Sequence, residues 1–195
     1  MHKGRLEAFS DGVIAIIITI MVLEFKVPHG DSLQVLIPIF PTFLTYVLSF
    51  VFIGIYWNNH HHLLFAAEHI NGKVLWANLY LLFWLSLIPF VTNWMGENNF
   101  TQWPVALYGF CLIMNGIAYY ILSQILLKQA GKDSKIAKVI GKDKKGIISL
   151  VIYLIGILLA FYNPKISLAL YFTVAIIWFV PDTRIEKTIL KPDNR

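Results

Sequence analysis

The first helix-forming stretch of the chain decides the fold, and its residues 5–23 read RLEAFSDGVIAIIITIMVL. The apolar part, Val13–Leu23, contains only 11 residues and includes the polar Thr19. Asp11 precedes it and Glu24 follows it directly. Polar and charged groups inside a membrane usually face a bundle interior or a water-filled path rather than lipid. We therefore predict that this helix is central in a membrane protein and is shielded by more apolar helices.

The faces of this helix can be separated because successive residues of an α-helix are rotated by about 100°. One stripe along the helix carries Gly12, Ile16, Ile20 and Leu23. Thr19 lies on the flank of this stripe, and Asp11 lies about 140° away from Ile16. The stripe is either a seam that packs against a neighbouring helix, or one of several identical stripes that meet on an axis. In the second case they form an apolar constriction, which gates ions by excluding water. A single stripe does not decide between the two.

The composition of the whole chain is that of a membrane protein. Of its 195 residues, 57% are hydrophobic and 14% are charged, whereas soluble domains average about 45–50% and 25%. This excludes an ordinary soluble domain and a disordered chain. The single cysteine, Cys111, cannot form an intramolecular disulfide. The net charge of +5 does not indicate a nucleic-acid binder, because the lysines lie between apolar blocks rather than on one folded face.

Six apolar segments follow one another along the sequence. A transmembrane helix needs roughly 20 residues, within a range of about 17–25. The dipeptide Asn163-Pro164 separates the last two segments and predicts a tight turn. We predict an all-α protein in which residues 1–195 form one domain of six transmembrane helices, the last two being a hairpin. The segments span approximately residues 9–26, 33–58, 74–95, 105–127, 147–162 and 165–181.

The basic residues are distributed unevenly between the two sides of this arrangement. An even number of helices places both termini on one side, and that side then holds 14 of the 16 basic residues. The other side holds only Lys26 and Lys165. By the positive-inside rule both termini are cytoplasmic, and we expect a multi-pass plasma-membrane protein in contact with membrane lipids. The positive charge of the fourth loop is either the signal that sets this topology or, alternatively, a site for anionic lipids. Its lysines are Lys128, Lys132, Lys135, Lys138, Lys142, Lys144 and Lys145, and the tail adds Arg184, Lys187, Lys191 and Arg195.

A histidine cluster lies near the end of the second segment. His60, His61 and His62, with Glu68 and His69, could suggest a metal site, but neighbouring helical residues point about 100° apart and do not converge. We therefore predict no metal site and no cofactor. Either the histidines cap the helix at the membrane interface, or one or two of them join a structural polar network. The residues of that predicted network are Arg5, Ser10, Asp11, His60, His61 and Trp76.

Other polar and aromatic residues suggest simpler roles. Trp57, Trp94 and Trp103 are typical of anchors at the membrane interface. Asn78, Asn115 and Gln124 are predicted to form hydrogen bonds between helices.

Two parts of the sequence carry a family resemblance. Arg5 is followed, after three residues, by Phe9-Ser10-Asp11-Gly12-Val13 and then by Ala15-Ile16. Further along are Tyr56-Trp57 before the histidines, Trp76-Ala77-Asn78-Leu79, and Ser86-Leu87-Ile88-Pro89-Phe90. Together these motifs resemble the signature of the transmembrane protein 175 family, the lysosomal-type potassium channels. The motifs cover roughly residues 5–95, and the rest of the chain agrees by helix count.

The resemblance implies a channel whose first helix lines the pore. In such channels the isoleucine five residues after the motif aspartate is the narrowest point, which here is Ile16. The next pore-facing turns correspond to Ile20 and Leu23, and the hydroxyl near the constriction corresponds to Thr19. The animal members carry two six-helix repeats and this chain carries one, so a pore of about four-fold symmetry needs a homotetramer. The implied function is a cation channel that favours potassium, its permeant ion.

Two other function classes compete with a channel. A small secondary transporter of the plasma membrane often shows inverted repeats and broken helices. Pro38, Pro41 and Pro89 interrupt helices here, but the two halves of the chain show no matching pattern. A membrane enzyme is disfavoured because the sequence offers no nucleophile or metal constellation, and we predict that the protein is not an enzyme. A Thr-Val-Gly-Tyr-Gly filter is also absent, so a channel of this sequence would not use a carbonyl-lined filter of that type.

Overall fold

The structure is a computed structural model that describes residues 3–67, 69–131, 134, 137 and 144–179. Within these ranges the protein is helical and contains no strand. A 3₁₀ helix, Leu33–Ile39, precedes the second α-helix. The α-helices are α1 (Lys3–Leu23), α2 (Phe40–Phe65), α3 (Gly72–Ser86), α4 (Ile88–Glu97), α5 (Gln102–Ala130), α6 (Lys144–Ala160) and α7 (Pro164–Phe179).

The first two helices differ in their bounds from the predicted segments. Helix α1 begins at Lys3 rather than near residue 9, so the whole polar motif before the apolar stretch is helical. The second segment starts as the 3₁₀ helix, which contains Pro38, and α2 then continues to Phe65 rather than to residue 58. Proline cannot donate a backbone hydrogen bond, which explains the irregular start. The longer α2 places His60 and its two neighbours inside the helix.

The third predicted segment is divided into two helices at Leu87. Pro89 lies in the first turn of α4, where it cannot donate to the carbonyl of Leu85, so the regular α-helical pattern is interrupted. The backbone N–H of Leu87 donates instead to Trp84 O at 3.3 Å. Asn115 Nδ2 of α5 donates to the same carbonyl at 3.4 Å. The break is therefore supported by a side chain from a neighbouring helix.

Four segments of the described chain are long and apolar enough to cross a membrane: Lys3–Leu23, Leu33–Phe65, Gly72–Glu97 and Gln102–Ala130. Helices α6 and α7 are shorter, with 17 and 16 residues, close to the lower limit of a spanning helix. They are joined at Asn163, whose Oδ1 accepts from the backbone N–H of Lys165 at 3.0 Å. The predicted hairpin thus forms, with a side-chain cap at its turn.

The two ends of the bundle can be identified from contacts between segments. At one end Lys26 contacts Glu97, and Gln102 donates to Phe161 O. At the other end Lys3 donates to Phe65 O and Gln129 donates to His69 O. Helix α1, helix α2, the α3–α4 pair and helix α5 therefore each run from one end to the other. Lys26 and Lys165 lie at the first end, as the alternation of segments requires.

Helix α1 packs against three other helices, and helix α5 packs against four. Helix α1 contacts α2, α3 and α4, whereas α5 contacts α3, α4, α6 and α7. Tyr171 of α7 is fully buried, and its ring lies where side chains at Gly109 and Gly156 would otherwise be. Small residues at such contacts let helices approach closely. The C-terminal hairpin is therefore packed around one buried tyrosine.

Part of the predicted charge pattern lies outside the described residues. This applies to Lys132, Lys135, Lys138 and Lys142 of the fourth loop, to Glu68, to the end of the last segment at Pro181, and to the tail residues Arg184, Lys187, Lys191 and Arg195.

Candidate functional site

Helix α1 has one face inside the chain and one face outside it. Its buried residues are Leu6, Ser10, Ile14, Ile17 and Met21. On the outer face, the exposed fractions are 58% for Ile16, 40% for Ile20 and 75% for Leu23. The stripe predicted from the sequence is thus the exposed face of α1, whose opposite face packs against three other helices of the same chain. An apolar face of this kind must meet either lipid or another copy of the chain.

Thr19 lies on the flank of the stripe and is also exposed. Its Oγ1 donates to the backbone carbonyl of Ala15 at 2.9 Å. A hydroxyl that donates its proton keeps acceptor lone pairs. The Thr19 oxygen can therefore still act as a ligand for a cation on the outer face of the helix, while its orientation is fixed by the backbone.

A chain of buried hydrogen bonds joins the inner face of α1 to α3 and α2. Ser10 Oγ donates to Leu6 O at 2.8 Å and accepts from Asn78 Nδ2 at 3.0 Å. His60 Nε2 lies 2.6 Å from Asn78 Oδ1. Because this amide oxygen is an acceptor, the Nε2 nitrogen carries the proton. Ser10 and Asn78 are 0% exposed and His60 is 2% exposed, so the three side chains satisfy one another away from water.

Asp11 is held by a residue that the sequence did not assign to it. Trp57 Nε1 of α2 donates to Asp11 Oδ1 at 2.9 Å. The Trp57 ring is stacked with His61 at 6.1 Å between centroids, and His61 is stacked with Phe65 at 6.4 Å. Asp11, which lies on the other side of α1 from the stripe, is therefore hydrogen-bonded to the first ring of a stacked row formed by Trp57, His61 and Phe65 of α2. We call this row the aromatic ladder. His61 is connected to Asp11 only through Trp57.

Two members of the predicted network lie elsewhere. Trp76 is 75% exposed and lies two positions before Asn78, about 200° around α3. Arg5 is exposed and forms no hydrogen bond or ion pair with a residue in the described ranges. The structure thus brings together Ser10 with His60, and Asp11 with the ring system of His61, but it leaves Arg5 and Trp76 apart from both groups.

The histidines do not converge on one point. His60 turns inward to Asn78, whereas His61 lies in the exposed aromatic ladder. In the described part of the chain, no group of three or more histidine, cysteine, aspartate or glutamate side chains is arranged to hold a metal ion. The chemistry of this region is hydrogen bonding that fixes helix positions.

The segment that directly follows the C-terminal end of α1 is connected to α4 by two further contacts. Asn93 Nδ2 donates to Glu24 Oε2 at 3.3 Å, and Lys26 Nζ donates to Glu97 Oε1 at 2.6 Å. The hydrogen bond to Glu97, together with the attraction of its carboxylate, raises the pKa of Lys26. Sequence reasoning missed these pairs, since only the charge of Glu24 and Lys26 is visible without knowing that α4 ends beside them.

Comparisons of the sequence with known proteins identify relatives of this chain. The family profile described as "Endosomal/lysosomal potassium channel TMEM175" matches residues 5–89. A potassium channel of Chryseobacterium sp. is 54% identical, over 97% of this chain and 98% of that protein. The chicken endosomal/lysosomal proton channel TMEM175 is 41% identical over 46% of this chain and 20% of its own length.

A solved structure also matches. It is the crystal structure of a lysosomal potassium-selective channel TMEM175 homolog from Chamaesiphon minutus, with a TM-score of 0.80 and 26% identity. The match covers 91% of this chain and 96% of the solved one. The helical arrangement described above is therefore shared across nearly the full length of both chains.

Proposed function

Because this chain belongs to the TMEM175 family, we propose that it is a potassium-favouring cation channel whose pore is lined by α1. The observation that carries the proposal is the uncovered apolar stripe of Ile16, Ile20 and Leu23 on a helix otherwise enclosed by its own chain. The names of its relatives as potassium channels support the permeant ion. The small-transporter alternative has no comparable support.

The proposed assembly is a homotetramer with α1 innermost. One copy cannot enclose a pore, because α1 contacts α2, α3 and α4 on one side only. Four copies related by an axis would bring four stripes together and remove them from lipid. Each subunit is one domain with six crossings, both termini are cytoplasmic, and the protein lies in the plasma membrane. The grouping of Lys26 and Lys165 at one end of the bundle supports this orientation.

The proposed gate is a ring of isoleucines rather than a ring of carbonyls. Four Ile16 side chains on an axis offer no polar ligand, and an ion that loses its hydration shell without replacement pays a high free energy. Such a ring closes the pore by excluding water. Ile20 and Leu23 extend the constriction towards the outer mouth, where Glu24 follows directly in the sequence.

Ser10, Asn78 and His60, with the pair of Asp11 and Trp57, set the position of α1 in this scheme. They hold its inner face by hydrogen bonds, so that rotation of α1 about its axis is restricted. They do not contact the permeant ion. Their role is to fix the rotation of α1, and therefore which of its faces points at the axis.

The direct test is a recording of the purified protein in a planar bilayer. We expect single-channel current steps in potassium, and smaller currents when sodium replaces it. A transporter gives no such steps, because it moves its substrate one cycle at a time. Currents without a potassium preference would contradict the selectivity, and a silent bilayer with well-assembled protein would contradict the channel itself.

Cross-linking tests whether α1 is innermost. We expect Leu23→Cys to form covalent dimers with a short bis-maleimide, because Leu23 is 75% exposed and would face its copies across the axis. Leu158→Cys is the matched control, since Leu158 on α6 is 67% exposed but would face lipid. The native Cys111 is buried and does not interfere. Equal cross-linking of the two variants, or a light-scattering mass other than four subunits, would contradict the assembly.

Thr19→Val tests the hydroxyl beside the constriction. Valine keeps the shape of threonine and removes the oxygen that could replace part of the ion's hydration. We expect the potassium-over-sodium permeability ratio to fall at least about twofold, since a loss of only about 0.4 kcal/mol in the preference for potassium corresponds to that change. The reversal potential under mixed-ion conditions measures it. Thr173→Val, which removes a similar exposed hydroxyl from α7, is expected to leave the ratio unchanged.

A further inference from the structure

A cavity of about 260 Å³ lies between α2, α5, α6 and α7, on the part of the chain away from α1. Its walls are mostly apolar and aromatic, and include Phe52, Ile55, Leu150, Tyr153 and Trp178. Gly116 of α5 helps to keep it open: a Cβ there would lie 3.0 Å from Leu150 Cδ2 and 3.9 Å from the Tyr56 hydroxyl oxygen. The space beside the Tyr56 hydroxyl therefore exists because residue 116 has no side chain.

Most polar groups in the wall already have partners. Tyr119 donates its hydroxyl to Asn59 O at 3.3 Å, and Asn59 Nδ2 donates to Ile55 O at 2.8 Å. Ser149 Oγ donates to Lys145 O and accepts from Trp178 Nε1, both at 2.8 Å. These groups shape the wall, and their hydrogen-bonding capacity is largely used by the protein.

Two phenol groups are different. Tyr56 and Tyr153 both line the cavity, and neither hydroxyl forms a hydrogen bond with any residue that the structure describes. A hydroxyl in mostly apolar surroundings is stabilised when it gains a hydrogen-bond partner. A bound molecule with one hydrogen-bonding group would satisfy at least one of these hydroxyls. The two available hydroxyls, together with the volume, distinguish this cavity from a packing defect.

The size and charge of the cavity restrict what it can hold. An apolar cavity of about 150 Å³ is enough for benzene, so this one has room for a substituted benzene ring. None of the residues that line it is charged, and an ionised group would lose its hydration there without compensation. Carboxylates and phosphates are therefore excluded, while a neutral ring with one hydroxyl fits. Tyr120 and Ile147, which are 47% and 64% exposed, leave a way in from the side.

We propose that this cavity is a binding site for a small neutral aromatic molecule that carries a single hydroxyl, which pairs with Tyr56 and Tyr153. The ligand partitions into the bilayer and enters between α5 and α6. Binding needs neither ion flow nor a tetramer, so it can be present or absent whether or not the proposed channel function is correct.

The probe for this site is 4-bromophenol, added to the protein in lipid nanodiscs. Its bromine quenches tryptophan fluorescence on contact, and Trp178 lies in the wall. We expect a saturable quenching component on top of the linear component caused by partition into lipid. The saturable component should be lost in Gly116→Leu, whose side chain fills the cavity. It should persist in Gly54→Leu, because a side chain at Gly54 meets nothing within 4 Å.

The hydroxyl pairing is tested separately. We expect Tyr56→Phe with Tyr153→Phe to weaken 4-bromophenol binding about two- to tenfold, and to leave the weaker binding of bromobenzene unchanged. 4-Bromobenzoate, which is an anion, is expected to give only the linear component. Quenching by 4-bromophenol that is linear in the wild type, or equal in the wild type and Gly116→Leu, would overturn the proposal. Should Gly116→Leu not fold, equal affinity of 4-bromophenol for the wild type and the double variant would overturn it as well.

Discussion

Replacing Ile16 with asparagine is expected to raise the basal potassium current at least tenfold. Ile16 lies on the exposed stripe of α1, and asparagine has similar bulk but carries polar groups that hold water. Wetting the proposed ring lowers the barrier that an ion meets there. A decrease of only about 1.4 kcal/mol corresponds to a tenfold increase in rate. Single-channel open probability and whole-liposome potassium flux at rest both measure the change.

Val22→Asn is the matched control for this variant. Val22 is also a branched apolar residue of α1 and is 47% exposed, but it lies about 120° around the helix from Ile16. Its substitution is expected to leave the basal current unchanged. If the stripe is instead a packing seam, Ile16→Ala should leave a cavity that costs about 2–5 kcal/mol. Both Ile16 variants would then lose assembled protein and gain no current, which would contradict the gate.

Helical rotation alone was enough to separate the faces of α1. Ile16, Ile20 and Leu23 share one side because their spacing follows the period of the helix, and the structure leaves that side uncovered. The starting point of the helix was not predictable in the same way. Residues 3–8 include the charged Lys3, Arg5 and Glu7 and lie before the segment that hydropathy defines. They nevertheless continue the helix to Lys3, since hydrogen bonding along a helix does not require apolar side chains.

The contacts between helices were harder to predict than the helices. Asn78 was expected to bond across helices and does so, but its partners depend on how α1, α2 and α3 meet. The sequence predicts an interface anchor at Trp57, and the structure shows that its indole N–H also donates to Asp11. Trp76 belongs to the same motif as Asn78 but lies on the other side of α3. Closeness in sequence therefore did not imply closeness in space.

The break at Leu87 and the cavity at Gly116 show two different limits of prediction from the sequence. Pro89 was a visible signal for the break, but a proline in an apolar segment either bends a helix or ends it, and the outcome depends on what supports the unbonded carbonyls. Here the carbonyl of Trp84, beside the break, accepts from both Leu87 N–H and Asn115 Nδ2. The cavity has no sequence signal at all, because it depends on which helices surround a single glycine.

The largest expected change in stability follows from breaking the hydrogen bond between Asn78 and His60. In the native protein His60 Nε2 lies 2.6 Å from Asn78 Oδ1. Asn78→Leu removes this acceptor and leaves the buried N–H of His60 without a partner. Leaving a buried donor unsatisfied costs about 1–3 kcal/mol. We expect a lower free energy of unfolding in detergent and less assembled protein. Since the side chain of Asn78 also donates to Ser10 of α1, the substitution removes that bond as well, and the defect should appear in assembly before it changes selectivity.

A double-mutant cycle separates this bond from the general effect of each substitution. If Asn78 and His60 interact directly, Asn78→Leu with His60→Leu should cost less than the sum of the two single variants. Membrane hydrogen bonds measured in this way average about 0.6 and reach about 1.7 kcal/mol, so a coupling in that range is expected. Thr92→Val is the comparison, since Thr92 bonds to Ser49 in a separate cluster. Ser49 lies about 16 Å from His60 along the continuous helix α2. Its cost should add to that of Asn78→Leu. Strict additivity for Asn78 and His60 would mean that the two side chains are neighbours without a bond that stabilises α1.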